Sequence, residues 1–284
     1  RLTAKSQSRR HGVGLGDHSG RIVLKAWGYN RAMPEFRSRK ALVNPELRRR
    51  GIYLLPNLFT TAALFAGFYA IVQAMTDRFE QAAVAIFIAM ILDGLDGRVA
   101  RLTRAQSAFG AEYDSLSDMV SFGVAPALVM FEWAMKGMGK WGWIAAFIYC
   151  VGAALRLARF NTNIEVIDKR FFQGLPSPAA AALIAGFVWV LMDLNYTGEE
   201  VRWYAWALTI FAGVTMVSNF RYYSGKDINL RRSVPFIAVL AIVLFFVLVS
   251  SYPPGILFAL FLCYAFSGYV MAVLDWVRRR KTPA

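Results

Sequence analysis

Four aspartates, Asp93, Asp96, Asp114 and Asp118, lie within 26 residues of sequence between two long apolar stretches. Ionisable groups near a bilayer core are costly and usually functional. The first two are three residues apart and the last two four apart, so on helices each pair projects from a single face. Carboxylate oxygens suit Mg²⁺, Mn²⁺ and Ca²⁺, and Mg²⁺ is usually held jointly by carboxylates and a substrate's phosphates. The spacing therefore predicts two helix ends that converge on a metal and phosphate site.

Two glycines and an arginine accompany the aspartates. Gly97 follows the second aspartate and Gly110 precedes the third, and the bare backbone at both positions lets a bulky flat ligand approach. Arg101 lies one helical turn beyond Gly97, where it is suited to bind a phosphate oxygen. The alternative is that the arginines of residues 98–104 only neutralise the nearby acids as surface ion pairs. The fourfold spacing together with both glycines favours a binding site.

The composition indicates a membrane protein, because 57% of the 284 residues are hydrophobic. Several apolar runs approach the roughly 18 to 20 residues needed to cross the hydrocarbon core. We predict an all-α polytopic membrane helix bundle with about eight transmembrane helices, at residues 52–75, 80–102, 107–134, 141–160, 177–194, 201–218, 234–251 and 255–277. The two cysteines lie in apolar runs and the two histidines in the polar N-terminal segment. This distribution argues against a disulfide framework and against a zinc site.

The basic residues decide the expected topology. Of the 32 Lys and Arg residues, 28 fall on one side of the eight-helix arrangement and four fall in the opposite loops. The positive-inside rule then places both termini and the aspartates on the cytoplasmic side of a bacterial inner membrane. Because the basic residues lie where topology alone would put them, we expect no nucleic-acid binding.

We expect three regions along the chain. Residues 1–50 form a basic cytoplasmic segment that is partly disordered or lies on the membrane surface, residues 51–220 a membrane core, and residues 221–284 two additional helices and a basic C-terminus. The first apolar run begins only after Arg50, so we expect no signal peptide, and Met33 is a candidate natural start. Residues 152–154 and 178–182, rich in glycine and alanine, suit close helix packing within one chain or in a homodimer.

The aspartate stretch resembles the signature of the CDP-alcohol phosphotransferase family. The pattern Asp-x₂-Asp-Gly-x₂-Ala-Arg-x₈-Gly-x₃-Asp-x₃-Asp is matched throughout, at Asp93, Asp96, Gly97, Ala100, Arg101, Gly110, Asp114 and Asp118. The resemblance implies a six-helix core that holds two divalent cations, Mg²⁺ or Mn²⁺, between the four aspartates. These cations would bind the pyrophosphate of a CDP-linked donor. It also implies that Asp118 is both a ligand and the base that deprotonates the acceptor alcohol.

Within the family, the chain looks like the membrane-embedded phosphatidylserine synthases over about residues 50–250. Three further stretches carry this likeness: residues 55–60 opening the first helix, 156–161 ending the fourth and 174–179 opening the fifth. Pro56 and Pro176 also suit an ordinary helix start. The resemblance implies that the donor pocket is lined by Gly97, Ala100, Arg101, Gly110, Asn57 and Thr60. Asn57 and Thr60 are equally suited to satisfy a first helical turn.

The implied reaction transfers the phosphatidyl group of CDP-diacylglycerol to the hydroxyl of L-serine and releases CMP. Bound cations offset the repulsion between the nucleophile and two phosphates, and a carboxylate takes the proton of the alcohol, so we expect a single displacement. Arg156 and Arg159 are candidates to bind the acceptor or the lipid phosphate, because a guanidinium fork matches a carboxylate. The alternative is that both only anchor the topology.

Other acceptors and other classes of protein stay open. Glycerol 3-phosphate, inositol and choline are used with the same aspartates elsewhere in the family, so the signature does not choose the alcohol. A cation-coupled transporter would place its acids near the membrane midplane in broken helices. An aspartate-rich prenyltransferase would lack the Gly-x-x-Ala-Arg that follows the second aspartate.

Overall fold

The computed structural model describes residues 45–103, 105–162, 171–223 and 236–281 of the chain. Residues 1–44 of the predicted basic segment at residues 1–50 lie outside these ranges. In the described part, eight helices and a two-stranded antiparallel sheet follow one another. They are α1 Pro45–Met75, α2 Phe79–Thr103, α3 Ala108–Met138, α4 Lys140–Thr162, β1 Phe171–Gln173, α5 Ser177–Asp193, α6 Arg202–Val217, β2 Arg221–Tyr223, α7 Phe236–Ser251 and α8 Pro253–Lys281. The fold is therefore the predicted all-α polytopic membrane bundle, with one short sheet that the sequence did not predict.

The first helix begins earlier than its apolar run. The expectation that residues 55–60 open it is wrong, because α1 begins at Pro45 and Pro56 lies inside it. An internal proline removes one backbone hydrogen bond. The residues before it are nevertheless good helix formers, and Pro45 suits a first helical turn. Pro176, in contrast, lies at the N-cap of α5, so the helix-start interpretation is correct there.

Helix α3 is one continuous helical rod with two irregular stretches. It is α-helical from Ala108 to Asp118 and then π-helical over Met119–Val124 and again over Phe131–Met135. The first π-helical stretch starts directly after the last of the four aspartates. Such stretches take more residues per turn than an α-helix and often occur at functional sites.

Helix α5 lies at the centre of the packing. It contacts α2, α6 and α8, and its residues from Ala179 to Ala185 are almost completely buried. Most of these side chains are alanines, which allow helix backbones to approach closely. Helices α1 and α2 form an antiparallel pair that packs along its length. A tight turn joins them, in which Asp77 has a φ of 58° and Arg78 N donates to Gln73 O at 2.9 Å.

Four helices in the described part are long and apolar enough to cross a membrane. They contain the segments Leu55–Met75, Ala108–Met138, Lys140–Thr162 and Pro253–Leu274. Helix α5 and the Val239–Ser251 segment of α7 are apolar but shorter. Helix α2 has 25 residues, and its last turns carry charged side chains, because the aspartates and arginines of residues 93–101 lie there. The chain is thus a membrane protein, and the count of eight spans stays a prediction.

The short sheet connects the C-terminal helix to the rest of the bundle. Strands β1 and β2 pair with Phe172 opposite Tyr222. The Tyr222 side chain is fully buried, and its hydroxyl donates to Ala265 O of α8 at 2.8 Å. Its ring lies where a Cβ on Gly268 would come within 2.3 Å, so only a glycine fits there. Burial raises the pKa of Tyr222, so this hydroxyl stays protonated and remains a donor.

Candidate active site

Three of the four aspartates come together between α2 and α3. One carboxylate oxygen from each of Asp93, Asp114 and Asp118 lies within 4.8 Å of the other two. Among the described residues, this is the one group of acidic, cysteine or histidine side chains with the geometry to hold a metal ion. Asp96 lies outside the group. Its side chain is buried, and its Oδ2 accepts a 2.8 Å hydrogen bond from Thr60 Oγ1 of α1.

Serine hydroxyls and a glycine hold α3 against α1. Ser117 Oγ donates to Thr60 O at 3.2 Å, and Ser121 Oγ donates to Ala63 O at 3.1 Å. At Gly67 a Cβ would lie 2.5 Å from Ser121 Oγ, so a larger side chain would push the helices apart. The close approach of these helices sets the position of the aspartates on α3 relative to those on α2, which packs on the same α1.

The carboxylate group fits a divalent cation. Asp93 and Asp118 are near enough for their carboxyl groups to share a hydrogen bond. Two negative charges about 4 Å apart repel each other by ~4 kcal/mol at an effective dielectric constant near 20. Asp114 Oδ1 is buried and has no hydrogen-bond partner, which is costly unless a cation binds it. Oxygen ligands of this kind suit a hard cation such as Mg²⁺ or Mn²⁺.

A cavity of about 310 Å³ opens beside the carboxylates, within the size range of small-molecule sites. Asp96 and Asp114 lie in its wall. Five of the six residues predicted for donor binding also line it, namely Asn57, Thr60, Gly97, Ala100 and Gly110. The sixth, Arg101, is exposed outside the lining, with its guanidinium 3.7 Å from where a Cβ on Gly97 would be.

The two glycines differ in what surrounds them. At Gly110 a Cβ would lie 3.1 Å from Ser107 Oγ and 3.3 Å from Asn57 Oδ1, which is tight. At Gly97 only the flexible Arg101 side chain is near, so the backbone faces open space. Gly110 is therefore needed for close packing, whereas Gly97 leaves open space beside the backbone.

The loop before α3 also contributes to the cavity, which the sequence analysis missed. Ala105, Gln106 and Ser107 line it. Ser107 is the N-cap of α3, and its Oγ accepts a 3.0 Å hydrogen bond from Gly110 N. A serine just before a helical stretch is a recognised start signal, so attention to capping would have found this residue.

The sequence profile of the CDP-alcohol phosphatidyltransferases matches residues 53–215, more than half of the chain, and covers all four aspartates and the cavity. The chain belongs to this family. Members of the CDP-alcohol phosphatidyltransferase family generally depend on a divalent cation, in agreement with the carboxylate group. The match confirms the resemblance of the aspartate stretch to this family.

Several curated relatives carry the name CDP-diacylglycerol–serine O-phosphatidyltransferase. The protein of Helicobacter pylori is 40% identical over 181 residues, which cover 63% of this chain and 75% of the relative. That of Methanocaldococcus jannaschii is 40% identical over 137 residues, covering 48% and 61%. That of Saccharomyces cerevisiae is 39% identical over 141 residues, covering 44% and 50%.

The two candidate arginines of this phosphatidyltransferase have different surroundings. Arg156 is buried, donates to Ser177 Oγ of α5 at 2.5 Å and interacts electrostatically with Asp118 and Asp93. Arg159 is half-buried and donates more weakly, to Ser218 O at 3.5 Å and to Asn219 Oδ1 at 3.3 Å. Arg156 is therefore within electrostatic range of the aspartates, whereas Arg159 links two helix ends.

Helix α8 lies beyond the region matched by the CDP-alcohol phosphatidyltransferase family, yet it comes near the site. Tyr264 of this helix interacts electrostatically with Arg156. The Tyr264 hydroxyl donates to Tyr223 O of β2 at 3.2 Å. The sequence carried no signal for this contact, because a tyrosine in an apolar run has no characteristic spacing to the aspartates.

Proposed function

We propose that this protein transfers the phosphatidyl group of CDP-diacylglycerol to the hydroxyl of L-serine, which gives phosphatidylserine and CMP. The observation that carries the proposal is the group of three carboxylates beside a cavity of about 310 Å³ on a chain of this family. The curated relatives named for the same reaction favour serine over glycerol 3-phosphate, inositol and choline.

Asp93, Asp96, Asp114 and Asp118 would hold Mg²⁺ or Mn²⁺, and we propose two ions. When bound, the cations would neutralise the charge of the donor's pyrophosphate and stabilise the departing CMP. The unpartnered Oδ1 of Asp114 and the closeness of Asp93 to Asp118 support this assignment. The cavity residues Asn57, Thr60, Gly97, Ala100 and Gly110 would surround the nucleotide, with Arg101 at its edge.

Asp118 is the residue proposed to take the proton. The serine hydroxyl oxygen attacks the lipid-bearing phosphorus, the bond from that phosphorus to the bridging oxygen of CMP breaks, and the hydroxyl proton moves to Asp118. A poor nucleophile such as an alcohol needs a base within hydrogen-bonding distance. Arg156, buried beside Asp118 and Asp93, would bind the serine carboxylate and hold the hydroxyl near the phosphorus.

We further propose that the site and both termini face the cytoplasm. The bias of 28 basic residues to one side against four supports this orientation. Single cysteines at Ser8 and Lys281, in a variant lacking Cys150 and Cys263, should resist an impermeant thiol reagent in intact cells. Labelling of either one without lysis would contradict this topology. A homodimer stays a prediction from the small-residue faces.

The test of the reaction is product formation by purified protein. Labelled CDP-diacylglycerol in detergent micelles is offered with serine, glycerol 3-phosphate, inositol or choline in separate reactions. We expect CMP release and a labelled phosphatidylserine with serine and far less product with the others. Product with another alcohol would keep the chemistry and change the acceptor. No CMP with any alcohol would contradict the proposal and favour a transporter.

A further inference from the structure

Thr60 makes contacts that a residue facing only a nucleotide would not need. Thr60 is 4% exposed, and Asp96, to which its hydroxyl donates at 2.8 Å, is 5% exposed. Its backbone carbonyl accepts a 3.2 Å hydrogen bond from Ser117, the neighbour of Asp118. One residue of α1 is therefore bonded to both helices that carry the aspartates.

The Thr60 hydroxyl has one proton and two acceptors within reach. Pro56 O, one turn earlier in the same helix, lies 3.2 Å away, and Asp96 Oδ2 lies 2.8 Å away. The shorter bond goes to a carboxylate, and hydrogen bonds to ionised acceptors are the stronger ones. A carboxylate has about four lone-pair sites, so a bond to Oδ2 leaves acceptors for a cation. The β-branch of threonine also restricts its rotamer, which holds the hydroxyl in place.

We propose that Thr60 is a positioning residue that holds the Asp96 carboxylate in the orientation in which it binds the divalent cation. The inference rests on the proposed function, since it assigns Asp96 to that cation. It assigns Thr60 a role through Asp96 instead of a direct contact with the donor. Residues that hydrogen-bond to metal ligands fix the ligand's orientation, and their loss typically weakens metal binding about 10-fold to 100-fold.

The experiment measures Mn²⁺ binding to the purified protein in detergent without substrates, from the electron paramagnetic resonance signal of free Mn²⁺. Thr60→Val keeps the shape and removes the hydroxyl, and we expect it to raise the Kd for Mn²⁺ by about 10-fold to 100-fold. Thr60→Ser keeps the hydroxyl and should stay within a few-fold of wild type. Asp96→Asn removes the charge of the proposed ligand, and its Kd for Mn²⁺ shows how much binding is lost when the Asp96 carboxylate contributes nothing.

Thr209→Val is the matched control. Thr209 is a buried threonine of α6 whose hydroxyl donates to Ala205 O in its own helix, at 2.7 Å. The Thr209→Val substitution makes the same change of atoms inside the bundle but removes no hydrogen bond to an aspartate. The Kd for Mn²⁺ should therefore not change. If Thr60→Val does not fold, the comparison of Thr60→Ala with Thr60→Ser isolates the hydroxyl in the same assay.

The outcomes distinguish a failure of the positioning role of Thr60 from a failure of the proposed metal site. Tight Mn²⁺ binding by wild type with an unchanged Kd in Thr60→Val would overturn the positioning role and leave the proposed function intact. Absence of Mn²⁺ binding by wild type would overturn the metal site and the positioning role together. A raised Kd in both Thr60→Val and Thr209→Val would identify a general loss of packing and also overturn the inference.

Discussion

The helices around the aspartates and the C-terminal helices are held in place by different contacts. Between α1, α2 and α3, hydroxyl groups form bonds across helices, from Thr60 to Asp96 and from Ser117 and Ser121 to carbonyls of α1. In α7, nearly all described side chains are exposed, and the one side-chain hydrogen bond among them, from Ser251 to Leu248 O, is internal. The packing of α1, α2 and α3 therefore depends on particular hydrogen-bonding atoms, whereas α7 needs only apolar side chains.

Helix α8 lies between these two cases. It is as apolar as a simple membrane span, but aromatic residues fix it to the bundle. The Tyr222 hydroxyl bonds to Ala265 O, and the Tyr269 hydroxyl lies 2.7 Å from Thr215 Oγ1. Tyr264 brings it near Arg156. In the described part of the chain, the region beyond the family's matched residues thus contains one helix with contacts near the site, α8, and one without them, α7.

Removal of divalent cations should have the largest effect, because it acts on all the carboxylates at once. We expect EDTA to abolish CMP release and added Mn²⁺ or Mg²⁺ to restore it. Mn²⁺ should also raise the midpoint of thermal unfolding, since a ligand that binds only the folded state stabilises it. Metal analysis should verify that chelation removed the cations from the protein. Full turnover in that state would mean that the aspartate region does not differ from the rest of the bundle by needing a metal ion.

Asp118→Asn should have the next largest effect. The change keeps the size of the side chain and removes its basicity, so we expect kcat to fall by about 10²-fold to 10⁴-fold. Binding of CDP-diacylglycerol should weaken far less. Glu112→Gln is the control, because Glu112 is an exposed acid on the same helix. Equal losses of turnover and donor binding would mean that Asp118 acts chiefly as a ligand.

The two arginines test whether α4 contributes chemistry or only anchors the topology. Because Arg156 is buried near Asp118 and Asp93, we expect Arg156→Ala to raise the KM for serine by roughly 10-fold to several hundred-fold. Arg156→Lys should recover little of this, since an ammonium lacks the planar fork. The measurement is steady-state kinetics with serine and CDP-diacylglycerol varied separately.

Arg159 provides the comparison on the same helix. Its longer hydrogen bonds go to Ser218 O and Asn219 Oδ1, directly after α6, so Arg159→Ala should change the KM for serine only a few-fold. If Arg156→Ala keeps the wild-type KM, the buried arginine is structural and the serine carboxylate is held elsewhere. If Arg159→Ala has the larger effect, the assignment of the two arginines is reversed.

Local patterns in the sequence predicted the helices and the aspartate site. Apolar runs predicted all eight helices. A segment in lipid must pair its backbone groups internally, as a helix does, so a long apolar run in the sequence indicates a helix. The fixed spacing from Asp93 to Asp118 predicted a convergence of carboxylates. The structure brings three of them together in one group and places Asp96 in a bond to Thr60.

Contacts between distant segments could not be predicted from the sequence. The sheet pairs Phe172 with Tyr222, which lie 50 residues apart in a chain whose other elements are helices. The closeness of Tyr264 to Arg156 depends on how α8 packs on the bundle, and no local pattern encodes it. The start of α1 was missed because a proline inside an apolar run looks like a helix start, whereas the flanking polar residues continue the helix.

The substitutions with the smallest expected effects test the difference between the contacts of α8 and those of α7. Tyr222→Phe removes one buried hydroxyl that bonds to Ala265 O, and a neutral hydrogen bond contributes about 1 kcal/mol to stability. We therefore expect a loss of about 1 kcal/mol in the free energy of unfolding in a denaturant titration. The KM for serine should change at most a few-fold, because Tyr264 and Arg156 keep their own contacts.

Phe246→Leu on α7 is the matched change, since Phe246 is 65% exposed and this exchange keeps its apolar character. Lipid covers an exposed leucine as well as a phenylalanine, so neither stability nor kinetics should change. If Phe246→Leu destabilises the protein as much as Tyr222→Phe does, then Phe246 packs against protein and not lipid. The contrast between α7 and α8 would then not hold.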